Sequence, residues 1–162
     1  MNIKKMVTNT IVAALYVALT GVFSFMSFGA IQFRVSEMLN HLVFYNKNYK
    51  YGVLLGVFIA NLFFSTLGPW DLIFGFGQTL ISFLILERLF KPEDSETKGM
   101  MKTTLVFCLT MVFVAAELYL VLKLPFIFSF VTAAFGEAVV LIVSMPLMKY
   151  LNKLIGFAGK MA

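Results

Sequence analysis

Two glutamates lie in stretches of this 162-residue chain that contain no other charged side chain. Glu117 is the single charge between residues 103 and 122, and Glu137 is the single charge between residues 126 and 148. A carboxyl group in apolar surroundings is either protonated or paired with a cation or a hydrogen-bond donor. Because neither glutamate has a basic residue within one helical turn, both are candidates to accept hydrogen bonds or a positive charge from a ligand.

Three polar residues share one face of the helix predicted over residues 34–45. Arg34, Glu37 and His41 fall at positions i, i+3 and i+7, which lie on one side of a helix. Arg34 and Glu37 can bind a polar ligand, or they can form an interfacial ion pair with each other. His41 fits a buried polar contact as well as a ligand contact.

Polar side chains also lie at helical spacing along two further predicted helices. Asn61 and Ser65 are four residues apart on the earlier helix. Amide side chains there offer donors and acceptors to a ligand, or hydrogen bonds between helices. On the later helix one face carries a stripe of Asp71, Phe74, Gly75, Gln78 and Ser82. Asp71 follows a Gly-Pro-Trp turn, so it also fits a helix cap.

The composition indicates a membrane protein. Apolar residues make up 60% of the chain and charged residues 13%, whereas soluble domains have about 45–50% and about 25%. The mean hydropathy is +0.92, and the apolar excess also excludes a disordered chain. The net charge of +5 does not indicate nucleic-acid binding, because the basic residues lie between apolar runs. Cys108 has no second cysteine to pair with and is predicted to fill a core position.

The apolar runs predict an all-α, polytopic membrane protein that forms a single domain, 1–162, of six transmembrane helices. A spanning helix needs about 20 mostly apolar residues. The first run is longer than the apolar core of a secretory signal, about 7–15 residues, which favours a retained helix. The second run predicts a short or tilted helix. The predicted spans are 8–28, 34–45, 51–67, 71–90, 103–122 and 126–148.

Lysine and arginine positions predict how these spans are oriented. With the amino terminus inside, eleven of the thirteen Lys and Arg residues fall in cytoplasmic segments, and only Arg34 and Lys123 fall outside. This distribution satisfies the positive-inside rule. If the helix at 34–45 did not span, Lys47 and Lys50 would lie outside, which favours six spans over five. Both termini are therefore predicted to be cytoplasmic.

The same orientation places nearly all of the intramembrane polar residues in the outer half of the membrane. Glu117 lies six residues before Lys123, about 9 Å at 1.5 Å per residue, and Glu137 lies twelve residues after Pro125, about 18 Å. The inner half is almost purely apolar. A pore would need polar lining through its whole depth, so the pattern predicts a binding pocket that opens outward and is closed below.

Small residues at four-residue spacing indicate close helix packing. Ala14 and Ala18 lie on the first helix, and Gly52, Gly56 and Ala60 lie on the third. This spacing permits another helix to approach closely. It fits packing within the bundle. Because Ala14 and Ala18 lie in the predicted cytoplasmic half, it also fits docking of a partner from that side.

Three blocks of residues resemble the QueT family, which comprises substrate-binding S components of energy-coupling factor (ECF) transporters. The run Arg34-Val35-Ser36-Glu37-Met38-Leu39 resembles the family's Arg-(Ile/Val)-Ser-Glu-x-Leu signature, although Met38 stands where alanine is common. Gly136-Glu137 resembles the third block. The blocks occur in the family's order and cover essentially the whole chain, with Phe64 making the second block looser. That second block consists of Ala60-Asn61-Leu62, Gly68, Asp71, Phe74-Gly75 and Thr79-Leu80.

The resemblance implies a six-helix bundle that binds a queuosine precursor, a 7-deazaguanine base, from outside. It also implies a transmembrane coupling protein and two cytoplasmic ATP-binding cassette ATPases as partners, with Ala14 and Ala18 facing the coupling protein. No cofactor or metal is expected. Which carboxylate meets which ligand group stays open. The residues and the resemblance together give a candidate substrate-binding set of Arg34, Glu37, Asn61, Asp71, Phe74, Gln78, Glu117 and Glu137.

Other functions remain as alternatives. An S component for another vitamin or nucleobase would use the same architecture. A small intramembrane enzyme would use Glu117, Glu137 and His41 for acid–base chemistry, but the sequence offers no metal cluster and no activated nucleophile. A structural membrane protein would leave the outer-half carboxylates unexplained. The chain has no Walker A pattern, so we expect a transport subunit that is not itself an enzyme, with ATP hydrolysis in its partners.

Overall fold

Helices are the only regular elements in the part of the chain that the computed structural model describes, residues 3–27 and 33–161. The all-α class predicted from the sequence is therefore confirmed for these residues. In chain order the elements are α1 (Ile3–Val22), α2 (Ser24–Ser27), a 3-10 helix (Val35–His41), α3 (Leu42–Tyr45), α4 (Tyr49–Phe64), α5 (Pro69–Leu89), α6 (Glu96–Thr110), α7 (Val112–Leu122), α8 (Phe126–Ile155) and α9 (Phe157–Lys160).

Four helical segments in the described ranges are long and apolar enough to cross a membrane: α1, α5, the joined α6 and α7, and α8. The helix α4 is shorter, with 16 residues. The helix predicted over 34–45 is present as the 3-10 helix followed by α3, seven and four residues long. Together these rise about 20 Å, less than the ~30 Å hydrocarbon core, so the count of six spans stays a prediction. The end of the first predicted span, Phe28, lies outside the described residues.

Two helices extend past the predicted spans at one end of the molecule. The helix α6 begins at Glu96 rather than residue 103, and the Ser95 hydroxyl caps it by accepting from the Lys98 amide at 3.3 Å. The helix α8 continues past residue 148 to Ile155 and stops at Gly156, which has a left-handed φ of 64°. The predicted spans stop at charged residues because such residues mark where the chain enters water. Helical hydrogen bonding continues beyond that point, so the helices are longer than the spans.

This end of the molecule carries most of the lysines, and we call it the lysine-rich end. Asp94 anchors its loop through ion pairs with Lys98, at 3.0 Å, and with Lys102. The hydrogen bond from Lys102 is the main reason that the pKa of Asp94 lies well below its usual range. Further along, Lys149 on α8 donates to the Thr97 hydroxyl at 2.6 Å. These contacts tie the start of α6 to the end of α8.

Glycines let α1 pack directly on α4. A Cβ atom at Gly52 would lie 2.7 Å from the Asn9 carbonyl oxygen, and one at Gly56 would lie 2.6 Å from the Tyr16 Cβ. The Asn9 side chain also accepts a hydrogen bond from the Gly52 amide at 3.0 Å. The small-residue stripe on α4 therefore serves packing within the bundle.

Polar contacts from α1 and α8 hold the 3-10 helix in place. The Thr20 hydroxyl donates to the Ser36 hydroxyl at 2.8 Å, and the Tyr16 hydroxyl donates to Glu37. At the other end, His41 Nε2 lies 3.0 Å from the Leu141 carbonyl oxygen. Of the two interpretations of His41, this geometry is that of a buried polar contact.

An apolar layer separates the polar centre of the bundle from the lysine-rich end. Its residues have no exposed side-chain surface, and the rings of Phe83 and Phe107 meet edge to face at 5.5 Å between centroids. On their helices these residues lie on the lysine-rich side of Gln78, Thr110 and Glu137. The apolar layer consists of Phe83, Leu86, Met100, Phe107 and Leu141.

Candidate ligand-binding site

Four polar side chains from three parts of the chain meet at a small cavity. Arg34 and Glu37 reach it from the 3-10 helix and its N-cap, Gln78 from α5, and Glu137 from α8. The remaining lining is apolar and comes from Met111, Val114 and Ala133. The cavity has a volume of about 10 Å³, which is room for about one water molecule. We call it the polar cavity.

Arg34 and Asp71 form a buried ion pair beside the polar cavity. Arg34 Nη2 lies 3.3 Å from Asp71 Oδ1, and the two residues are 8% and 2% exposed. The other carboxylate oxygen of Asp71 accepts from the Ser65 hydroxyl, and the Asn61 amide donates to the Asp71 carbonyl oxygen at 3.0 Å. The ends of α4 and α5 are therefore joined by polar contacts around one aspartate.

This geometry selects among the alternatives left open by the sequence. The ion pair joins Arg34 to Asp71 rather than to Glu37. Asp71 is the third residue of α5, whose N-cap is Gly68, and its carboxylate bonds side chains instead of capping the helix. Asn61 makes the interhelical hydrogen bond that the sequence allowed.

Glu37 has both carboxylate oxygens occupied by protein donors. Tyr16 donates to Oε1 and Asn40 donates to Oε2. Although Glu37 lines the polar cavity, its hydrogen-bonding capacity is directed to α1 and to its own 3-10 helix. Its main effect in this conformation is therefore to fix the segment that carries Arg34.

Gln78 connects the polar cavity to a hydroxyl cluster between α5 and α6. Its Nε2 donates to the Thr110 hydroxyl at 2.9 Å, and its Oε1 accepts from the Thr79 hydroxyl at 3.2 Å. Thr110 also contacts the Ser82 hydroxyl at 2.7 Å. The amide is therefore held in one orientation at the cavity wall, with the hydroxyl cluster behind it.

Glu117 and Glu137 differ from the other two buried carboxylates. They are 0% and 3% exposed. Among the described residues, no N–H or hydroxyl donor bonds either oxygen of Glu117 or Oε1 of Glu137, and the Glu117 carboxyl group lies against that of Asp71. Arg34 interacts electrostatically with both glutamates. A buried polar atom without a partner is costly, so these oxygens are suited to receive donors from a ligand.

The charge balance of this region is strongly acidic. Within the described ranges, the carboxyl groups of Glu37, Asp71, Glu117 and Glu137 surround one buried cation, Arg34. A low-dielectric site cannot hold such an excess of negative charge. The excess must be neutralised by protons or by a cationic ligand.

Phe74 lies outside the lining of the polar cavity. It is half-buried on α5, and its ring lies against the exposed Trp70 at 6.3 Å between centroids. Neither Phe74 nor Glu117 lines the polar cavity in this conformation, so the stacking role of Phe74 stays a prediction.

Several residues that complete the site did not stand out in the sequence. Tyr16, Asn40 and Thr110 supply the donors and acceptors described above, and Ser129 on α8 has a buried hydroxyl with no partner among the described residues. A search for every polar side chain at membrane depth would have found Thr110 and Ser129. Tyr16 looks like an interfacial aromatic residue until its position against Glu37 is known.

Ala14 and Ala18 lie on the exposed face of α1, whereas Ala13 and Tyr16 are buried. The two alanines therefore do not pack within the described bundle. Among the residues that the structure describes, no group of three or more His, Cys, Asp or Glu side chains has the arrangement of a metal site.

An all-helical chain with long apolar helices and a small, buried, acid-rich cavity belongs to the class of multi-pass membrane proteins that handle a small molecule. The family model of the QueT transporter matches residues 6–153. A 38% identical relative is the "Queuosine precursor transporter QueT" of Lactococcus lactis subsp. cremoris (strain MG1363), aligned over 91% of each chain. No solved structure matches the chain. The chain belongs to the QueT transporter family and is a transport protein, not an enzyme.

Proposed function

We propose that this protein is the substrate-binding S component of an ECF-type importer and takes up a queuosine precursor. The observation that carries the proposal is that both oxygens of Glu117 and Oε1 of Glu137 are buried and have no donor among the described residues, in a chain whose relative is named for queuosine-precursor transport. The proposed ligand is 7-aminomethyl-7-deazaguanine or a related deazaguanine.

The ligand chemistry matches the unpaired atoms. A deazaguanine presents N–H donors along its guanine-like edge, and the aminomethyl form adds a cation. Glu117 and Glu137 would accept those donors, and one of them would pair with the ammonium group. The fixed amides of Gln78 and Asn61 would complete the polar recognition, and Phe74 would stack on the flat base. An analogue that lacks one group would leave buried partners unpaired, so discrimination would be strong.

The remaining polar residues would hold the site in shape. Arg34 and Asp71 form the ion pair that joins the start of the 3-10 helix to the start of α5, and Glu37 anchors the 3-10 helix to α1. A cavity of about 10 Å³ is too small for a bicyclic base. Ligand entry therefore requires the helices around the polar cavity to move apart, and these contacts would re-form around the ligand.

Transport would depend on partner proteins. The proposed importer contains a transmembrane coupling protein and two ABC ATPases that hydrolyse ATP. Ala14 and Ala18, on the exposed face of α1, would contact the coupling protein. We further propose one domain of six spans, with both termini in the cytoplasm, in the prokaryotic cell membrane.

Direct binding tests the proposal. Purified protein would be titrated with 7-aminomethyl-7-deazaguanine by calorimetry, with guanine and an unrelated vitamin such as biotin as comparison ligands. We expect the deazaguanine to bind with much higher affinity than guanine, and biotin not to bind. Mass spectrometry of small molecules that co-purify with the protein would reveal a different vitamin or base, and that result would contradict the proposed ligand.

A further inference from the structure

An apolar groove of about 340 Å³ runs along α1 near the lysine-rich end and shares no lining residue with the polar cavity. Its walls come from α1, α8 and the short segments between α1 and α4. Ile11 and Leu15 form the α1 wall, and Leu151 and Ile155 form the α8 wall. Lys160 stands at one end of the groove. The groove is therefore apolar along its length and basic at its end.

The fold builds that basic end through a turn after α8. Gly156 adopts a left-handed φ of 64°, which favours glycine, and the Asn152 side chain accepts from the Phe157 amide at 3.1 Å. The turn directs α9 back toward the start of α1. Tyr49 donates to the Phe157 carbonyl oxygen at 2.9 Å, and Lys4 Nζ lies 3.4 Å from the Gly159 carbonyl oxygen.

Basic residues outnumber acidic ones around the groove end. Lys4 and Lys5 lie in the first turn of α1, and Lys153 and Lys160 lie on α8 and α9. The described residues of α1 and α9, and of α8 after Glu137, include no acidic side chain, whereas Glu96 of α6 accepts from Asn152 Nδ2 at 2.7 Å. A basic cluster of this kind at a membrane surface attracts anionic lipid headgroups.

The groove and the basic end beside it together span about one leaflet of a bilayer. From Lys4 to Leu15 the helix α1 rises through eleven residues, about 16 Å, and half of a ~30 Å hydrocarbon core is about 15 Å. Ile11 and Leu15 are 55% and 50% exposed, so the groove opens sideways where lipid chains would lie. A phospholipid has the same distribution, with one charge at the end of a leaflet-length apolar chain.

We propose that this groove binds an anionic phospholipid, with an acyl chain along α1 and α8 and the phosphate group against Lys4 and Lys160. The proposal does not depend on the substrate or on the ECF partners. It assigns α9 a role, because α9 places Lys160 beside the start of α1. The lysines bind the phosphate through charge, and the groove selects one lipid position by shape.

Native mass spectrometry of the purified protein in detergent micelles tests the proposal. Phosphatidylglycerol and phosphatidylcholine with identical chains would be added separately, and the retained lipid would be counted at each concentration. We expect one phosphatidylglycerol to be retained at a much lower lipid concentration than phosphatidylcholine. Each lysine near a headgroup contributes about a five-fold change in affinity, so Lys4→Gln with Lys160→Gln should weaken phosphatidylglycerol binding about 30-fold.

Matched variants separate this site from general attraction to lysines. Lys47→Gln with Lys91→Gln removes two exposed lysines of the same end that lie away from the groove, and should leave binding within about two-fold. Ile11→Trp fills the groove and should lower retention, whereas Val131→Trp on the exposed face of α8 should not.

Four results would overturn the proposal. Equal retention of the two lipids would show that the phosphate is not recognised. An equal loss in the two double-lysine variants would show a general surface effect. Unchanged phosphatidylglycerol retention in Ile11→Trp would show that the lipid does not occupy the groove. A cross-link from Ile11→Cys to the coupling protein, without specific lipid binding, would show that the groove is a protein contact.

Discussion

In the part of the chain that the structure describes, Glu137 and Glu117 carry oxygens without a donor, whereas Glu37 and Asp71 are bonded to protein donors. This difference makes their amide variants informative about the ligand. We predict that Glu137→Gln weakens binding of the aminomethyl deazaguanine roughly 10- to 150-fold more than binding of a neutral analogue. The reason is that the amide keeps the shape but loses a charge-assisted hydrogen bond. Calorimetry with both ligands would measure it.

Glu117→Gln serves as the internal comparison for that prediction. One of the two glutamates should show charge selectivity, and we expect it to be Glu137, which lines the polar cavity. Glu93→Gln, at an exposed position, should bind both ligands normally. Small and equal losses in the two buried variants would mean that these carboxyl groups hold the bundle together and that the ligand binds elsewhere.

The sequence identifies individual charged residues more readily than their partners. Lone glutamates in apolar runs are visible at once, because charge at membrane depth is costly. The Arg34–Asp71 pair joins residues 37 positions apart, and helical spacing indicates neighbours only within one helix. The sequence could therefore suggest Arg34 with Glu37, three positions away, but had no local signal for Asp71.

The two faces of α1 have different tasks at the scale of a helix. Tyr16 and Thr20 on the buried face hold the 3-10 helix, whereas Ala14 and Ala18 are exposed. We predict that Ala14→Trp or Ala18→Trp abolishes uptake while ligand binding survives, because a bulky side chain blocks close approach of a partner helix. Uptake of radiolabelled substrate in cells and calorimetry on purified protein would measure the two effects.

A matched control for these variants is Val131→Trp, which places the same bulk on the exposed face of α8 and should transport normally. Normal uptake by both alanine variants would refute a docking role for this face. A parallel loss of binding and uptake would show instead that the substitutions disturb the bundle.

The packing of α1 on α4 gives a second prediction at this scale. In Gly56→Ala the new Cβ would lie 2.6 Å from the Tyr16 Cβ, and we expect a loss of about 1–3 kcal/mol of stability from overpacking. Gly77→Ala meets nothing within 4 Å and should gain about 0.5–1 kcal/mol from helix propensity. Thermal unfolding in one detergent would compare them. If Gly56→Ala unfolds at the same temperature as the wild type, α1 and α4 do not pack as closely as described here.

Helix positions could be read from the sequence because apolar runs and turn residues mark them. Gly68-Pro69 ends one predicted span, and α5 indeed starts at Pro69. The helix type at 35–41 could not be read in this way. That segment is a 3-10 helix held by Tyr16 and Thr20, and such tertiary contacts override local preference.

For the molecule as a whole, the distribution of lysines predicts the orientation in the membrane. We predict that a Ser95→Cys variant in a Cys108→Ser background resists an impermeant maleimide in intact cells, because Ser95 lies at the lysine-rich end. Lys123→Cys, after α7, should be labelled and serves as the control for access. Labelling at Ser95→Cys with none at Lys123→Cys would invert the proposed topology.

The apolar layer below the site also bears on how the cell stores energy. Phe83 and Phe107 meet edge to face, and Met100 and Leu141 beside them have no exposed surface. Protons cross a membrane along continuous files of water or polar groups, and a dry hydrophobic barrier interrupts both. In the proposed orientation, an idle copy of this protein would therefore not short-circuit the proton-motive force. A cell could then hold many such copies in its membrane without draining the gradient that supports its other transport.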